Sequence, residues 1–465
     1  MRRIGNGKKR VERSWMNCWV MREIGKKRVM YQVHTSSQSN PQSYISNINL
    51  HPTKPILTRP VDLYQKFASA NFLIPNLPSP LPVKWLKELG ITHLPGDLPV
   101  EEFDYMHTLI FTDEMHRSGS LGPSGAITTG FAFGVPPILK FGSQALQARF
   151  LPDLLTGKKR ICIAITEPGA GSDVSAIETT ARKSDDGSEW IVDGSKKWIT
   201  NGLWSDYATM AVRTGGAGPA GLSLLIVPLL QHPGVTMRRI KVGGQTAAGT
   251  TFIELDNVRV PRENLIGTEG SGMKYIMQNF NHERLSISIS VNRIARTALS
   301  QAFEYVMKRK AFGKPVMDQP VVRNRLARCG AELESHWAWI EGFTWMMTRL
   351  GEEDANRELG GLTALAKAKA GMVLESCAST AVLLFGGNGY TKSGMGEVVE
   401  RLLFLFFFSC SVFLDYFLSI LLFIPLPPLL PKLTPPSSQE SSAKSPAPAS
   451  LVAVKMSCSI FPSDN

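Results

Sequence analysis

The segment Ile165-Thr-Glu-Pro-Gly-Ala-Gly-Ser-Asp173 combines a glycine-rich turn with hydroxyl groups. A second hydroxyl-bearing stretch, Lys197-Trp-Ile-Thr-Asn-Gly202, follows at what reads as a strand end. Gly169 and Gly171 allow backbone torsions closed to other residues and let the main chain approach a ligand closely. Thr166, Ser172 and Thr200 supply hydroxyls, and Trp198 supplies a flat apolar wall. Together these groups suit a planar cofactor edged with heteroatoms, such as an isoalloxazine ring. A glycine-rich turn alone is usually just a turn, and an isolated Thr or Trp is usually core packing. The joint spacing is what points to a ligand.

Those residues need elements to hold them. Val61–Ala70, Pro82–Gly90, Pro99–Ser118 and Gln144–Thr156 show helical spacing between Gly and Pro breaks. The character then changes. Trp190–Val192, Lys197–Thr200, Ala208–Arg213, Leu222–Val227 and Thr251–Leu255 are short, rich in Val, Ile, Trp and Thr, and separated by Asp-Gly, Gly-Gly and Pro-Gly turns. That pattern predicts an antiparallel β-domain. Helical spacing returns over 270–400, where Val291, Ile294, Ala298, Ala302 and Val306 form one apolar face. The expectation is an α+β chain with a basic extension (1–54), an N-terminal helical domain (55–160), a central β-domain (161–265), a C-terminal helical bundle (266–401) and a tail (402–465).

Composition narrows the function classes. The 465 residues are 43% hydrophobic and 19% charged, as in a globular chain with ample core. The net charge of +12 misleads, because residues 1–34 hold ten Lys/Arg against two Glu, most of the excess. That segment reads as a basic targeting sequence or as an N-terminus foreign to the fold. No nucleic-acid motif accompanies the charge. Cys18, Cys162, Cys329, Cys377, Cys410 and Cys458 show no paired spacing, which points to a reducing compartment and away from a disulfide framework. The histidines make no HxxH or HExxH spacing, so no metal site is expected.

The two Gly- and Thr-bearing stretches closely resemble the flavin-binding signature of acyl-CoA dehydrogenases. The order helical, β, helical is similar to that family's three-part plan, over roughly residues 60–401, with the nearest likeness to a fungal-type branch. The family's first helix, which normally precedes Val61–Ala70, has no counterpart in residues 1–60. The resemblance implies FAD as cofactor and α,β-desaturation of an acyl-CoA thioester. In that reaction a base removes the α-proton and the β-hydrogen leaves as hydride to the flavin. The base must be a carboxylate in apolar surroundings that raise its pKa, and donors must polarise the thioester carbonyl.

Phe280-Asn-His-Glu-Arg-Leu285 matches the Glu-Arg-Leu motif of members that carry the base on this helix, so Glu283 is the expected base. It is expected to open the helix that ends near Lys310; the plainer reading is a carboxylate favoured at a helix start. Arg284 either supports the acyl-CoA or forms a structural ion pair, and His282 is read as structural. For FAD the resemblance carries over Ile163, Ile165, Thr166, Gly171, Ser172, Trp198 and Thr200, with Ser172 also facing the acyl-CoA. Arg309-Lys-Ala-Phe312-Gly-Lys-Pro315 with Gln319 resembles the adenine and pyrophosphate motif, although a basic helix end before Gly-Lys-Pro is usually a plain stop. Phe385-Gly386-Gly387-Asn-Gly-Tyr390 resembles the segment that reaches the FAD of a neighbouring subunit, implying a dimer or tetramer; Leu383 stands where many members have Gln. The implied acceptor is a separate electron-transfer flavoprotein. A flavin oxidase of the same fold and a non-catalytic product stay open, as do mitochondrial and peroxisomal placement.

The tail departs from the family. Leu402–Ile424 carries one charge, Asp415, and is a membrane-span candidate by length and apolarity. A soluble apolar helix is a second reading. A third is an unspliced intron read through, followed by an exon in the wrong frame: with suitable codons, a shifted frame over 444–465 spells a string like the family's C-terminal flavin-side segment. That string has Gly where the family's alternative base would stand, which favours Glu283.

Overall fold

A computed structural model of the chain describes residues 61–119, 122–391 and 393–399. The basic extension and the apolar tail, with the span candidate at 402–424, lie outside the described residues.

The first helical region contains α1 (Val61–Ser69), α2 (Val83–Glu88), α3 (Tyr105–Met115), α4 (Gly130–Gly134), α5 (Pro136–Phe141) and α6 (Gln144–Leu155). A small hairpin, β1 (His93–Leu94) and β2 (Leu98–Pro99), interrupts it. Local chemistry sets the starts. Asp104 accepts the His107 N–H while the His107 ring accepts the Asp104 N–H, a reciprocal cap for α3. Ser143 accepts the Leu146 N–H at α6, and Gly157, at φ +70°, follows its end. Three helical stretches escape the sequence pattern. Gly122–Ser124, a π turn at Gly125–Thr129, and α4 run on from one another and lead into α5.

The central sheet has eight strands: β3 (Ile161–Ala164), β4 (Thr180–Lys183), β5 (Glu189–Ile199), β6 (Tyr207–Arg213), β7 (Leu222–Pro228), β8 (Val235–Arg239), β9 (Thr251–Pro261) and β10 (Leu265–Ile266). The order is β10-β7-β6-β4-β5-β9-β8, with β3 on β6. The expected antiparallel pairing holds for most neighbours, but β3 and β4 meet β6 in parallel. β7 is buried almost end to end because both faces are covered. One face packs on the first helical region through Ile161, Leu222, Leu224 and Ile226. Trp190, Val192, Ile253 and Val258 form a second core.

The second helical region holds α7 (Gly272–Lys308), α8 (Pro320–Arg349) and α9 (Glu352–Phe385), with a short hairpin β11 (Lys310–Ala311) and β12 (Lys314–Pro315) between α7 and α8. Ile294 and Ala298 of α7, Leu333 of α8 and Leu374 and Cys377 of α9 share one core. The stretch Glu353–Tyr390 is long and apolar enough to cross a membrane by composition, but it is half buried against its neighbours, as a bundle's core helix is.

One polar feature lies beneath the glycine-rich segment. Lys196, fully buried on β5, donates to the Ile165 carbonyl at 3.1 Å and to Glu167 Oε1 at 2.7 Å. Glu167 also accepts the N–H groups of Glu178 at 2.7 Å and Thr179 at 3.1 Å. Burial lowers the Lys196 pKa to about 8 against the pull of Glu167. Burial works to raise the Glu167 carboxyl, yet Lys196, Thr179 and Glu178 together hold it below the usual range. Removing one member of a buried pair strands the other charge. Lys196→Ala is therefore expected to cost about 3–5 kcal/mol in denaturant unfolding; a loss under about 1 kcal/mol would show that the pair is not what fixes this loop.

Candidate active site

Two backbone segments lie side by side at the glycine-rich stretch. The loop after β3 carries Thr166 to Ser172, and the end of β5 carries Trp198 and Thr200. The Lys197 N–H donates to the Thr166 carbonyl at 2.9 Å, which locks the two segments side by side directly above the Glu167–Lys196 pair. Ile163 lies half-buried on β3, Ile165 is buried, and Thr166, Ser172 and Thr200 are half-buried.

Gly169 and Gly171 serve differently from the sequence expectation. Neither takes a positive φ, so no unusual torsion requires them. A Cβ built on either would meet nothing within 4 Å. Their missing side chains leave space in front of the loop. Trp198 is the strained residue instead. Its φ is +66°, and a register shift in β5 between Lys196 and Ile199 turns it outward. It is 44% exposed, with the Lys197 ammonium 4.8 Å from its ring centre. An outlier that holds a large flat side chain in the open is what a ligand wall looks like. Thr200 closes the far side, near the π turn, where a Cβ on Gly125 would lie 3.9 Å from Thr200 Cγ2. Open glycines, a flat exposed ring and three hydroxyls fit a flavin.

Glu283 belongs to a different element. It does not open its helix: α7 begins at Gly272, so Glu283 sits about three turns inside. That removes the helix-start account of its charge. Its Oε2 is buried and has no hydrogen-bond partner among the described residues. Burial raises its pKa to about 7, against the pull of Lys367 and then Arg284. Asn279 shares the helix face of Glu283 one turn earlier. Its side chain donates to the Phe133 carbonyl of α4 at 3.1 Å. In turn α4 sits hard on β3, since a Cβ on Gly130 would lie 2.0 Å from the Ile161 carbonyl. Thr209 of β6 donates to the Gly134 carbonyl at 2.6 Å. Asn279, one turn before Glu283, thereby ties this stretch of α7 through α4 to β3, the strand that leads into the glycine-rich loop.

Its neighbours divide by role. His282 pairs with the Asn76 carbonyl at 3.2 Å and lies 5.9 Å from the Tyr105 ring, and burial lowers its pKa to about 4. It ties α7 to the first helical region. Arg284 is buried, with its guanidinium 5.6 Å from the Phe280 ring centre.

The remaining predicted residues gather elsewhere. Arg309, at the C-terminal end of α7, lies ~39 Å of helix from Glu283. Phe312 is 93% exposed at φ +54°, Gln319 is half-buried before α8, and Gly386 and Gly387 are exposed after α9. The Tyr305 and Phe385 rings, 5.5 Å apart, join these segments. The structure brings Ile163 to Ser172, Trp198 and Thr200 together, and leaves Arg309, Phe312, Gln319, Gly386 and Gly387 at the far end of the bundle.

Sequence reading also misses participants: Glu167 stands only inside the first motif, and Lys196 and Lys367 are not singled out. Lys367 could have been found: it interrupts an otherwise apolar face formed by Thr363, Ala366, Ala370 and Leu374.

Known proteins share this fold. Residues 60–158 match the acyl-CoA dehydrogenase N-terminal domain, 162–258 the middle domain and 270–404 the C-terminal domain. The chain is 65% identical over 346 residues to the acyl-CoA dehydrogenase apdG of Emericella nidulans, covering 74% of this chain and 79% of that protein. It is 32% identical over 325 residues to the mitochondrial short-chain specific acyl-CoA dehydrogenase of Mus musculus, covering 69% and 76%. The crystal structure of acyl-CoA dehydrogenase from Geobacillus kaustophilus superposes with a TM-score of 0.63 at 28% identity, covering 74% and 84%. The chain belongs to the acyl-CoA dehydrogenase family of FAD-dependent oxidoreductases.

Proposed function

We propose that the chain desaturates a fatty or branched acyl-CoA thioester between Cα and Cβ, with Glu283 as the base. The observation that carries this is the Glu283 carboxyl: its Oε2 is buried without a hydrogen-bond partner among the described residues, on a half-buried side chain one turn from the Asn279 link to α4. A carboxylate that burial holds near neutrality takes a proton from carbon better than a solvated one.

The chain's other groups orient and enclose. Thr166, Ser172 and Thr200 offer hydroxyls to the edge of the ring, and Trp198 flanks it, with Ile163 and Ile165 packed beneath. Ser172 and Arg284 face the acyl-CoA. FAD, when bound, supplies the hydride acceptor. Trp198, open to solvent, leaves an exit for electrons toward an electron-transfer flavoprotein. Arg309, Phe312, Gln319, Gly386 and Gly387, gathered at the far end of the bundle, serve the cofactor of a second copy, with Arg309 pairing with phosphate oxygens. That makes a dimer or larger assembly the working unit. The mitochondrial relative favours mitochondria as the site of action.

Glu283→Gln is expected to keep its FAD absorbance yet lose bleaching by acyl-CoA under anaerobic mixing, since an amide cannot take the α-proton. Full-rate bleaching would move the base elsewhere. In the wild type, kcat/KM should rise with pH through about 7 as Glu283 ionises.

Stability should run the other way. The folded pKa of Glu283 lies above its unfolded value of 4.5, so its contribution is complete below that and is lost as pH rises through about 7. Above pH 8, Glu283→Gln should therefore unfold later than wild type, by on the order of 3 kcal/mol; identical pH profiles for the two proteins would count against the buried acid. Gly171→Leu, which fills the open space without backbone strain, should fold normally but purify with little flavin colour. A variant as yellow as the wild type would take Gly171 out of the cradle.

A further inference from the structure

The buried face of α9 carries a charge that the desaturation chemistry above leaves without a role. Lys367 is 3% exposed, on the same helix face as Thr363, Ala370 and Leu374. Its position relative to Glu283 follows from how α7 and α9 are aligned. The two helices run parallel. Near one end Asn281 donates to Asn356 Oδ1 at 2.7 Å, and a Cβ on Gly360 would lie 3.4 Å from Asn281 Oδ1. Near the other end the Tyr305 and Phe385 rings meet at 5.5 Å. This register sets Glu283 beside the turn that ends at Thr363. A long helical side chain leans toward the helix N-terminus over the turn before it. Lys367 therefore delivers its ammonium back toward that turn, alongside Glu283.

Other charged groups near this stretch are engaged, neutral or weaker in their pull on Glu283. On α7 itself His282 is held neutral by burial, and Arg284 adds a smaller pull than Lys367. On α3, Asp104 pairs with His107 and Asp113 pairs with Arg293. On α8, burial lowers the His336 pKa to about 4, and Glu341 accepts from the Trp337 indole at 2.8 Å.

We propose that Lys367 is a positioning residue for the base: its buried ammonium, brought in from α9, favours the ionised form of the Glu283 carboxyl and fixes where it points. This rests on Glu283 being the base. Desolvation alone would keep the carboxyl protonated and idle at neutral pH. A cation nearby in the same dry interior opposes it, and opposes it more strongly once bound acyl-CoA excludes water. The nearby ammonium leaves the base dry enough to be strong and charged often enough to act.

The test uses full-chain holoenzyme mixed anaerobically with the fastest of butyryl-, octanoyl- and palmitoyl-CoA, following flavin bleaching between about pH 6 and 10. For Lys367→Met the midpoint of the rise should move up by about one unit or more, slowing bleaching ~tenfold at neutral pH and regaining it in alkali. Lys367→Arg, which keeps the charge, should hold the midpoint near wild type. An unmoved midpoint in Lys367→Met, with Glu283→Gln inactive, overturns this proposal alone. Full-rate bleaching by Glu283→Gln overturns the base assignment and this proposal with it. If Lys367→Met folds poorly, the double variant with Glu283→Gln must fold better than it does, because removing both charges relieves the stranded carboxylate; no recovery overturns the pairing.

Discussion

The Glu167–Lys196 ion pair is the constraint on which the cradle depends. A loop with glycines and no side chains pressing on its outer face has little to hold its shape. Here the hold comes from below. Glu167 takes three hydrogen bonds, one from the Lys196 ammonium and two from the backbone of Glu178 and Thr179. The same lysine reaches the Ile165 carbonyl, so one side chain of β5 grips the loop on both sides of Thr166. Buried ion pairs are weak evidence for stability, because desolvation takes back much of what attraction gives. Their better use is to specify one arrangement. This pair fixes the separation between the loop and β5, and the Lys197–Thr166 backbone bond completes the register. The outward turn of Trp198 follows at the next residue, where β5 breaks its pairing with β9.

A second lysine–glutamate pairing is used to the opposite end. Lys196 and the backbone N–H groups of Glu178 and Thr179 together satisfy Glu167, and the carboxylate becomes structural. Glu283 has a cation near it but no hydrogen bond to Oε2, and its pKa stays high. The difference between the structural Glu167 and the proposed base Glu283 is therefore the number of donors each carboxylate is given. A carboxyl left short of donors in the interior destabilises the fold at neutral pH, and such defects gather where function requires them.

Legibility in the sequence tracked how local each signal was. Val- and Ile-rich segments between Asp-Gly and Pro-Gly turns located β5, β6, β7 and β9, because period-two patterning and turn chemistry act within a few residues. The stretch from Gly122 to Phe141 did not read as helix. Its glycines and prolines look like breakers, yet Gly130 and Gly134 are there so that α4 can lie against the Ile161 and Cys162 carbonyls. The early start of α7 was hidden likewise: Lys274, Gln278, Asn279 and Asn281 interrupt the apolar stripe, and Asn279 and Asn281 are buried in contacts with α4 and α9. At the site, residue types were legible and geometry was not. Gly169 and Gly171 were flagged for torsions they do not adopt, and matter for the space they leave.

The remaining gap between motif and mechanism is one of distance. The Trp198–Thr200 wall and the proposed base are connected through α4, by Asn279 on one side and Gly130 and Thr209 on the other. A shift of α4 would therefore move base and cradle relative to each other without touching either. Arg309 and Gly386 have no such linkage, lying instead at the end of the bundle where Tyr305 meets Phe385. Two groups of residues matched to the same cofactor but separated by the length of α7 can serve it together only across a subunit boundary. On the proposed assembly a single chain would hold one half of each of two sites, and loss of assembly would empty the cradle even with every residue around Trp198 in place.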